Sequence, residues 1–298
     1  MTAMSRVWLS LPRTLLPAIL LLSVAATRGA AQQAMTDPNY FDKIPRERGG
    51  PLHGNEVVKP FRIIGNVYYV GLSENTSFLI TSPQGHIILD TTYDSTVPTV
   101  AKNVEQLGFK LKDIKYIIQA HAHTDHMEGL ARFKELTGAK VLVMAPDVPV
   151  VADGGRSDFR SDGRELWKPV RADQTLRDGE QVRVGNATMV AHLAAGHTKG
   201  CTTWTTVAEE NGRKYNVIFV CSVRLNGANV PLVGNTKYPT IAEDYANSFK
   251  TLKSLPVDVF LASHGSMFVL SEKIKRMEQG GANPFMAPQD FRAFLAAH

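Results

Sequence analysis

The sequence predicts an α/β fold: two mixed sheets lying face to face, with helices outside. Three observations point there. Strand-like runs alternate with runs of helical spacing through the middle of the chain, which is the rhythm of βαβ units. Each half of the chain mixes strands and helices, so each half can supply one sheet and its cover. Histidines stand where apolar strands give way to loops, at His121–His126, His197 and His264. Strand ends of this kind are where such sheets gather ligands.

Residues 1–31 read as a secretory signal peptide. Arg6 and Arg13 precede the apolar stretch Leu15–Ala26, and Gly29-Ala30-Ala31 offers small residues for cleavage. The apolar stretch is short for a membrane span, and no later segment suggests one. Export to a bacterial periplasm or beyond is the expectation, leaving residues 32–298 as a single domain. Residues 32–54 are rich in Pro, Gly, Arg and Asp and read as an extended arm. Strands are then predicted at Phe61–Ile64, Val67–Val70, Ser77–Ile80 and His86–Asp90, separated by turns at Gly65-Asn66 and Pro83-Gln84-Gly85. Val97, Val100, Val104 and Leu107 share one helical face. A buried strand is expected at Ile114–Ala120, a helix at Glu128–Leu136 and a strand at Val141–Met144. Gly154–Gly179 reads as a long loop. Strands return at Gln181–Val184, Ala187–Leu193, Thr202–Val207 and Val217–Cys221. Helices are expected at Ile241–Leu255, Glu272–Met277 and Pro288–Ala297, with a strand at Val259–Ala262.

The formal charge is +5, and loss of Arg6, Arg13 and Arg28 with no acid would bring it to +2. Lys and Arg are scattered, with no basic stripe interleaved with aromatics, so no nucleic-acid partner is expected. The two cysteines, Cys201 and Cys221, bracket a predicted hairpin whose turn holds Asn211, midway between them. They are read either as a cross-strand disulfide, which export permits, or as two free buried thiols.

The densest chemistry is His121-Ala122-His123-Thr124-Asp125-His126. Imidazole and carboxylate suit zinc and similar divalent ions. Three His and one Asp exceed what a single catalytic zinc takes, so two adjacent metals are expected. His197, in Gly196-His197-Thr198, and His264, in Ser263-His264-Gly265, are further ligand candidates.

With the HxHxDH cluster, the later Gly-His-Thr and the late His in this order, residues 61–268 resemble the metallo-β-lactamase superfamily. The resemblance implies an αββα sandwich with two zinc ions per chain. His121, His123 and His197 would bind the first, and Asp125, His126 and His264 the second. A bridging hydroxide would be the nucleophile, with Asp125 also helping to move the proton. Lactonase, thioesterase and phosphodiesterase members typically carry a metal-bridging Asp where Cys221-Ser222 stands here. That difference, with Gly196-His197-Thr198-Lys199-Gly200-Cys201-Thr202-Thr203-Trp204, is most similar to subclass B3 β-lactamases. The implied function is hydrolysis of the β-lactam ring, and hence antibiotic resistance, by a monomer acting on a small-molecule substrate. Asp90 and Thr198 would support the ligands, and Ser222 and Arg224 would meet the substrate, the Arg224 guanidinium either pairing with the carboxylate that most β-lactams carry or standing only as a solvated loop charge. Cys221 as a zinc ligand is the alternative to its pairing with Cys201. The rivals are a lactonase, thioesterase or phosphodiesterase on the same scaffold, a mononuclear-iron sulfur oxidoreductase, and a non-catalytic zinc-binding protein. Three departures from the common pattern stand out, the first being that the usual second serine near Ser222 is absent and Arg224 stands nearby. Asp90-Thr91-Thr92 replaces Asp-Gly-Gly, and Glu128 brings an extra carboxylate after the cluster, either as a helix N-terminal acid or as an influence on substrate preference.

Overall fold

Four short strands open the described chain: β1 (Phe61–Ile64), β2 (Val67–Tyr69), β3 (Phe78–Ser82) and β4 (Gly85–Leu89). They pair antiparallel in sequence order. Two-residue connections at Gly65-Asn66 and Pro83-Gln84 permit no other arrangement of the strands they join. The computed structural model describes residues 52–161, 163–226 and 230–297. The segment read from the sequence as a signal peptide, and that read as an arm up to residue 51, lie outside them.

After β4 the connections lengthen and the pairing becomes parallel. β5 (Ile114–Ile118), β6 (Lys140–Met144) and β7 (Gln174–Leu176) add in turn. The crossovers carry helices α1 (Val97–Gln106), α2 (Thr124–Met127), α3 (Leu130–Thr137) and α4 (Val148–Asp153). The result is a seven-stranded sheet in sequence order. The second sheet has five strands in the order β12-β11-β10-β9-β8. They are β8 (Gln181–Val184), β9 (Ala187–Leu193), β10 (Thr202–Glu210), β11 (Arg213–Val220) and β12 (Val259–Ala262). Only β11 and β12 run parallel, because helix α5 (Ile241–Ser254) intervenes. Helices α6 (Leu270–Glu278) and α7 (Pro288–Ala296) close the chain.

Alternation along the strands builds the layers. On β4, Ile87 and Leu89 point between the sheets and join Met189, Ala191, Trp204 and Phe219 in one buried core. Ile88 points the other way and packs with Val97, Val100, Val104, Leu130 and Phe133 from α1 and α3. On the far side, Phe260 of β12 meets Phe291 and Phe294 of α7 at ring distances of 5.3 and 5.1 Å. This is the helix–sheet–sheet–helix sandwich. Trp204, 1% exposed, ties its middle together, its indole N–H donating to the Gln119 carbonyl at 2.9 Å.

Three local elements differ from the sequence expectation. β7 lies within the segment expected to be loop; its residues Gln174-Thr175-Leu176 are too few to show a period, and its partner β6 lies thirty residues back. The four-residue α2 interrupts the ligand run itself. The β10–β11 register pairs Trp204 with Phe219 and Glu210 with Arg213 across the two-residue turn Asn211-Gly212. Both turn residues have positive φ, 53° and 74°, as a tight hairpin requires. Extended outward, that register sets Cys221 opposite Thr202, one residue off the simple midpoint. Cys201 and Cys221 nevertheless form a disulfide with Cα atoms 5.9 Å apart. Cys201 lies just before β10 and is free of its pleat.

Candidate metal centre

The ligand-type side chains converge at the carboxyl end of β5 and the loops beside it. β5 is apolar and fully sequestered at Ile117 and Ile118, so the first polar residues able to face a cleft come after it. His123 stands at the N-terminus of α2 in extended conformation, and α2 turns Asp125 and His126 inward. His197 enters from the β9–β10 loop and His264 from the end of β12. All six residues singled out in the sequence are thus brought together. Ring nitrogens of His121, His123 and His197 lie within 4.8 Å of one another, and so do ligand atoms of His121, Asp125 and His126. Asp125 Oδ2 is 3.3 Å from His126 Nε2 and 3.5 Å from His264 Nε2. The cleft above them measures about 540 Å³ and is walled by His53, Tyr93, Arg160, Glu165, Ser222, Arg224 and Asn226, among others. Roomier grooves occur elsewhere, one of about 650 Å³ around His192 and Thr205. Convergence of donors, not volume, distinguishes this site.

The donor set fits a metal. Nε2 of His121 and His123 are buried without a hydrogen-bond partner among the described residues. Buried polar atoms are rarely left so, because each costs on the order of 1–3 kcal/mol. Meanwhile Nδ1 is engaged at His126 and His197. His126 Nδ1 is 2.9 Å from Asp90 Oδ2, and His197 Nδ1 is 2.8 Å from the Arg224 carbonyl. An acceptor at Nδ1 holds the proton there and leaves the Nε2 lone pair free to coordinate. Burial, reinforced by the neighbouring imidazoles, holds His121 and His123 well below the ordinary histidine range. Burial brings His197 down to about 4. Neutral imidazole is the coordinating form. At His126 burial acts the same way, but Asp125 and Asp90 on either side outweigh it and raise the group to about 10. Burial would raise Asp125, yet His126 and His264 hold it far below the usual carboxylate range. A dication would replace the His126 proton between these carboxylates.

Around the donors stands a set of supports. Asp90 accepts the Ala120 N–H at 2.7 Å through Oδ1 while facing His126 through Oδ2. Asp90 and Thr92 have φ of 65° and 58°, the left-handed region that glycine favours. This is the backbone requirement that Asp-Gly-Gly meets easily. Here Thr92 bears the strain with its hydroxyl 2.7 Å from that of Thr96. Thr198 donates to Asp147 Oδ2 at 2.8 Å. Ser222 is buried at the wall, and its hydroxyl accepts the Arg224 N–H at 3.3 Å. The Arg224 side chain is exposed, and its carbonyl accepts from both His197 and Tyr245, the latter at 2.7 Å. Glu128 accepts the Asp94 N–H at 3.3 Å. The disulfide sulfur of Cys221 is 3.6 Å from His121 Nδ1; oxidised, it offers no thiolate.

Two supports escaped the sequence reading. Asp147, after β6, takes N–H groups of Ala122 and Gly200 at 3.0 and 2.7 Å besides the Thr198 hydroxyl. It thereby ties the loop of His121 and His123 to the loop of His197. Gly200 allows this, since a Cβ there would come within 2.6 Å of the Asp147 carboxyl carbon. Asn75 donates to Asp125 Oδ2 at 3.2 Å and bridges to His264 through backbone pairing. A lone Asp after Ala-Pro and a lone Asn in a polar loop carry no spacing signal.

Residues 70–264 match the model of the metallo-beta-lactamase superfamily, and the chain belongs to that superfamily. Among solved structures it is similar to the native FEZ-1 metallo-beta-lactamase from Legionella gormanii, with a TM-score of 0.80, 39% identity and coverage of 82% of this chain and 93% of that one. It is also similar to BJP-1, a subclass B3 metallo-beta-lactamase of Bradyrhizobium japonicum, with a TM-score of 0.75, 31% identity and coverage of 81% and 91%. A 152-residue stretch is 28% identical to N-acyl homoserine lactonase AttM of Agrobacterium fabrum, covering 41% of this chain and 56% of the relative. The chain thus spans about half the length of the curated relatives it matches.

Proposed function

We propose that this chain is an exported β-lactam hydrolase working with two zinc ions. The observation that carries this reading is six converging donors combined with Ser222, not Asp, after β11. His121, His123 and His197 would hold one ion, and Asp125, His126 and His264 the other. When bound, the ions would polarise the lactam carbonyl and bring the pKa of water to about 7. The protein groups set the stage for that chemistry. Asp90 and the Arg224 carbonyl fix the tautomers of His126 and His197. Asn75 holds Asp125 Oδ2 in place. Hydrolysis adds the oxygen of water to the lactam carbon, breaks the C–N bond and moves a proton to nitrogen. Asp125, ionised at the floor of the cleft, is the carboxylate placed to carry that proton.

Export through residues 1–31 agrees with the disulfide, which an oxidising compartment favours. Among the described residues no helix is long and apolar enough to cross a membrane. All six donors come from one chain, which supports the reading of a monomer. The similarity to AttM favours one second reading, a lactonase on the same fold; Ser222 counts against it. Metal analysis, with turnover of a penicillin, a cephalosporin and a carbapenem beside an acyl-homoserine lactone, a thioester and a phosphodiester, tests the choice. Close to two zinc ions, EDTA-sensitive β-lactam turnover and slow turnover of the rest are expected. Faster lactone turnover would favour the second reading, and activity surviving thorough metal removal would sink both.

A further inference from the structure

The loop between α4 and β7 places a charge pair on the wall of the cleft. Its base is fixed: Trp167 is 2% exposed, and its backbone N–H donates to the Gly154 carbonyl at 3.1 Å. From this base Arg160 and Glu165 reach the cleft that His123 and His197 also line. The Arg160 side chain is one-quarter exposed and that of Glu165 is 44% exposed. One terminal nitrogen of the guanidinium pairs with Glu165 Oε2. Its Nε is buried without a hydrogen bond among the described residues, with Asp158 Oδ2 3.8 Å away. The two acids differ in kind. Asp158 is 5% exposed and accepts the Arg160 backbone N–H at 3.1 Å, so it stays. Glu165 is open to water, where such a pair contributes little and breaks readily.

A carboxylate is therefore already seated on an arginine beside the reaction centre, and it is replaceable. We propose that Arg160 anchors the carboxylate of the substrate, that Glu165 is its built-in competitor, and that the cleft thereby selects anionic over neutral acyl substrates. Guanidinium and carboxylate match as a two-pronged pair. Arg224, exposed at the rim, lacks such a mount. The proposal rests on the β-lactam reading for the identity of the anion, though not for the existence of the anion site.

The test uses zinc-loaded wild type, Arg160→Ala and Glu165→Gln with benzylpenicillin and its methyl ester. Arg160→Ala should raise KM for the acid by about 10–100-fold, the scale of one charge-assisted hydrogen bond, and leave the ester nearly unchanged. Glu165→Gln should lower KM for the acid several-fold, with no change for the ester. Equal shifts for acid and ester, or a weaker acid in Glu165→Gln, would overturn it. Calorimetric binding of ring-opened benzylpenicilloate gives a readout free of turnover. At least tenfold weaker binding to Arg160→Ala supports the anion site even if wild type cleaves neither substrate, in which case the hydrolase reading alone fails. Equal binding to both proteins overturns the anchor.

Discussion

Asp147→Ala separates support of the metal centre from simple packing. The substitution removes one carboxylate and strands two buried backbone N–H groups, of Ala122 and Gly200, together with the Thr198 hydroxyl. Each buried donor left unpaired costs about 1–3 kcal/mol, so the loss over the three is roughly 3–9 kcal/mol. An opposing effect is present. Burial pushes the Asp147 carboxyl up to about 6 despite its three donors. Holding such a group ionised at neutral pH costs roughly 3 kcal/mol, and the alanine variant is spared that cost. The net destabilisation near pH 8 is then about 3 kcal/mol, between roughly zero and 6. The folded pKa lies above the unfolded one, so the contribution of Asp147 is fully present below about pH 4 and is lost as pH rises through 6. The variant should therefore lose more stability at pH 5 than at pH 8. Urea unfolding of metal-free wild type and variant at the two pH values measures this. Zinc competition with a chromophoric chelator should show about 10–100-fold weaker binding, because the loops of His121, His123 and His197 lose their common tie. Unchanged zinc affinity, or a stability loss that grows with pH, would refute the reasoning.

The remaining predictions concern other parts of the structure. His264→Ala should reduce kcat/KM more than about 100-fold and release zinc, whereas His192→Ala, outside the donor cluster, should be mild; equal losses by kinetics and metal analysis would contradict the assignment. Cys221→Ser should cost about 3 kcal/mol through the lost twenty-residue closure while zinc stays near two by metal analysis, and loss of one zinc at unchanged Tm would return Cys221 to the ligand set. Ser222→Asp should tighten zinc retention and weaken penicillin turnover, read by zinc titration and steady-state kinetics; faster turnover would count against the β-lactam reading. Lys273, 1% exposed with its ammonium 2.9 Å from Asp290 and facing Phe268 and Phe285, should tolerate Met better than Ala, because Met keeps the alkyl stem; thermal unfolding should separate them by about 1–2 kcal/mol.

The sequence reveals most of this architecture because its elements are periodic. Val97, Val100 and Val104 announce α1, and the apolar run at Ile114 announces β5. What is hidden depends on partners distant in the chain. β7 exists because β6 offers it an edge, and three residues cannot display a period. The six donors are legible because their residue types are rare and crowded at strand ends. Their supports are less so. Asp147 acts through backbone N–H groups twenty-five and fifty-three residues away. Arg224 is visible in the sequence as a cation, yet the group that meets His197 is its carbonyl, which every residue possesses. Arg160 and Glu165 sit in a segment whose polarity reads only as loop until its fold brings them to the cleft.

The disulfide beside His121 has a consequence for the order of maturation. Potential ligand atoms of His121, Cys201 and Cys221 fall within 4.8 Å of one another. In a reduced chain these three would form a thiolate-rich trap for zinc, and soft thiolates compete well for that ion. Captured there, His121 would be drawn away from His123 and His197. Oxidation before metal uptake removes the trap, since a disulfide is a poor ligand. A chain matured under reducing conditions should thus bind zinc with altered stoichiometry, and the timing of sulfur chemistry becomes a checkpoint on how the metal centre is filled.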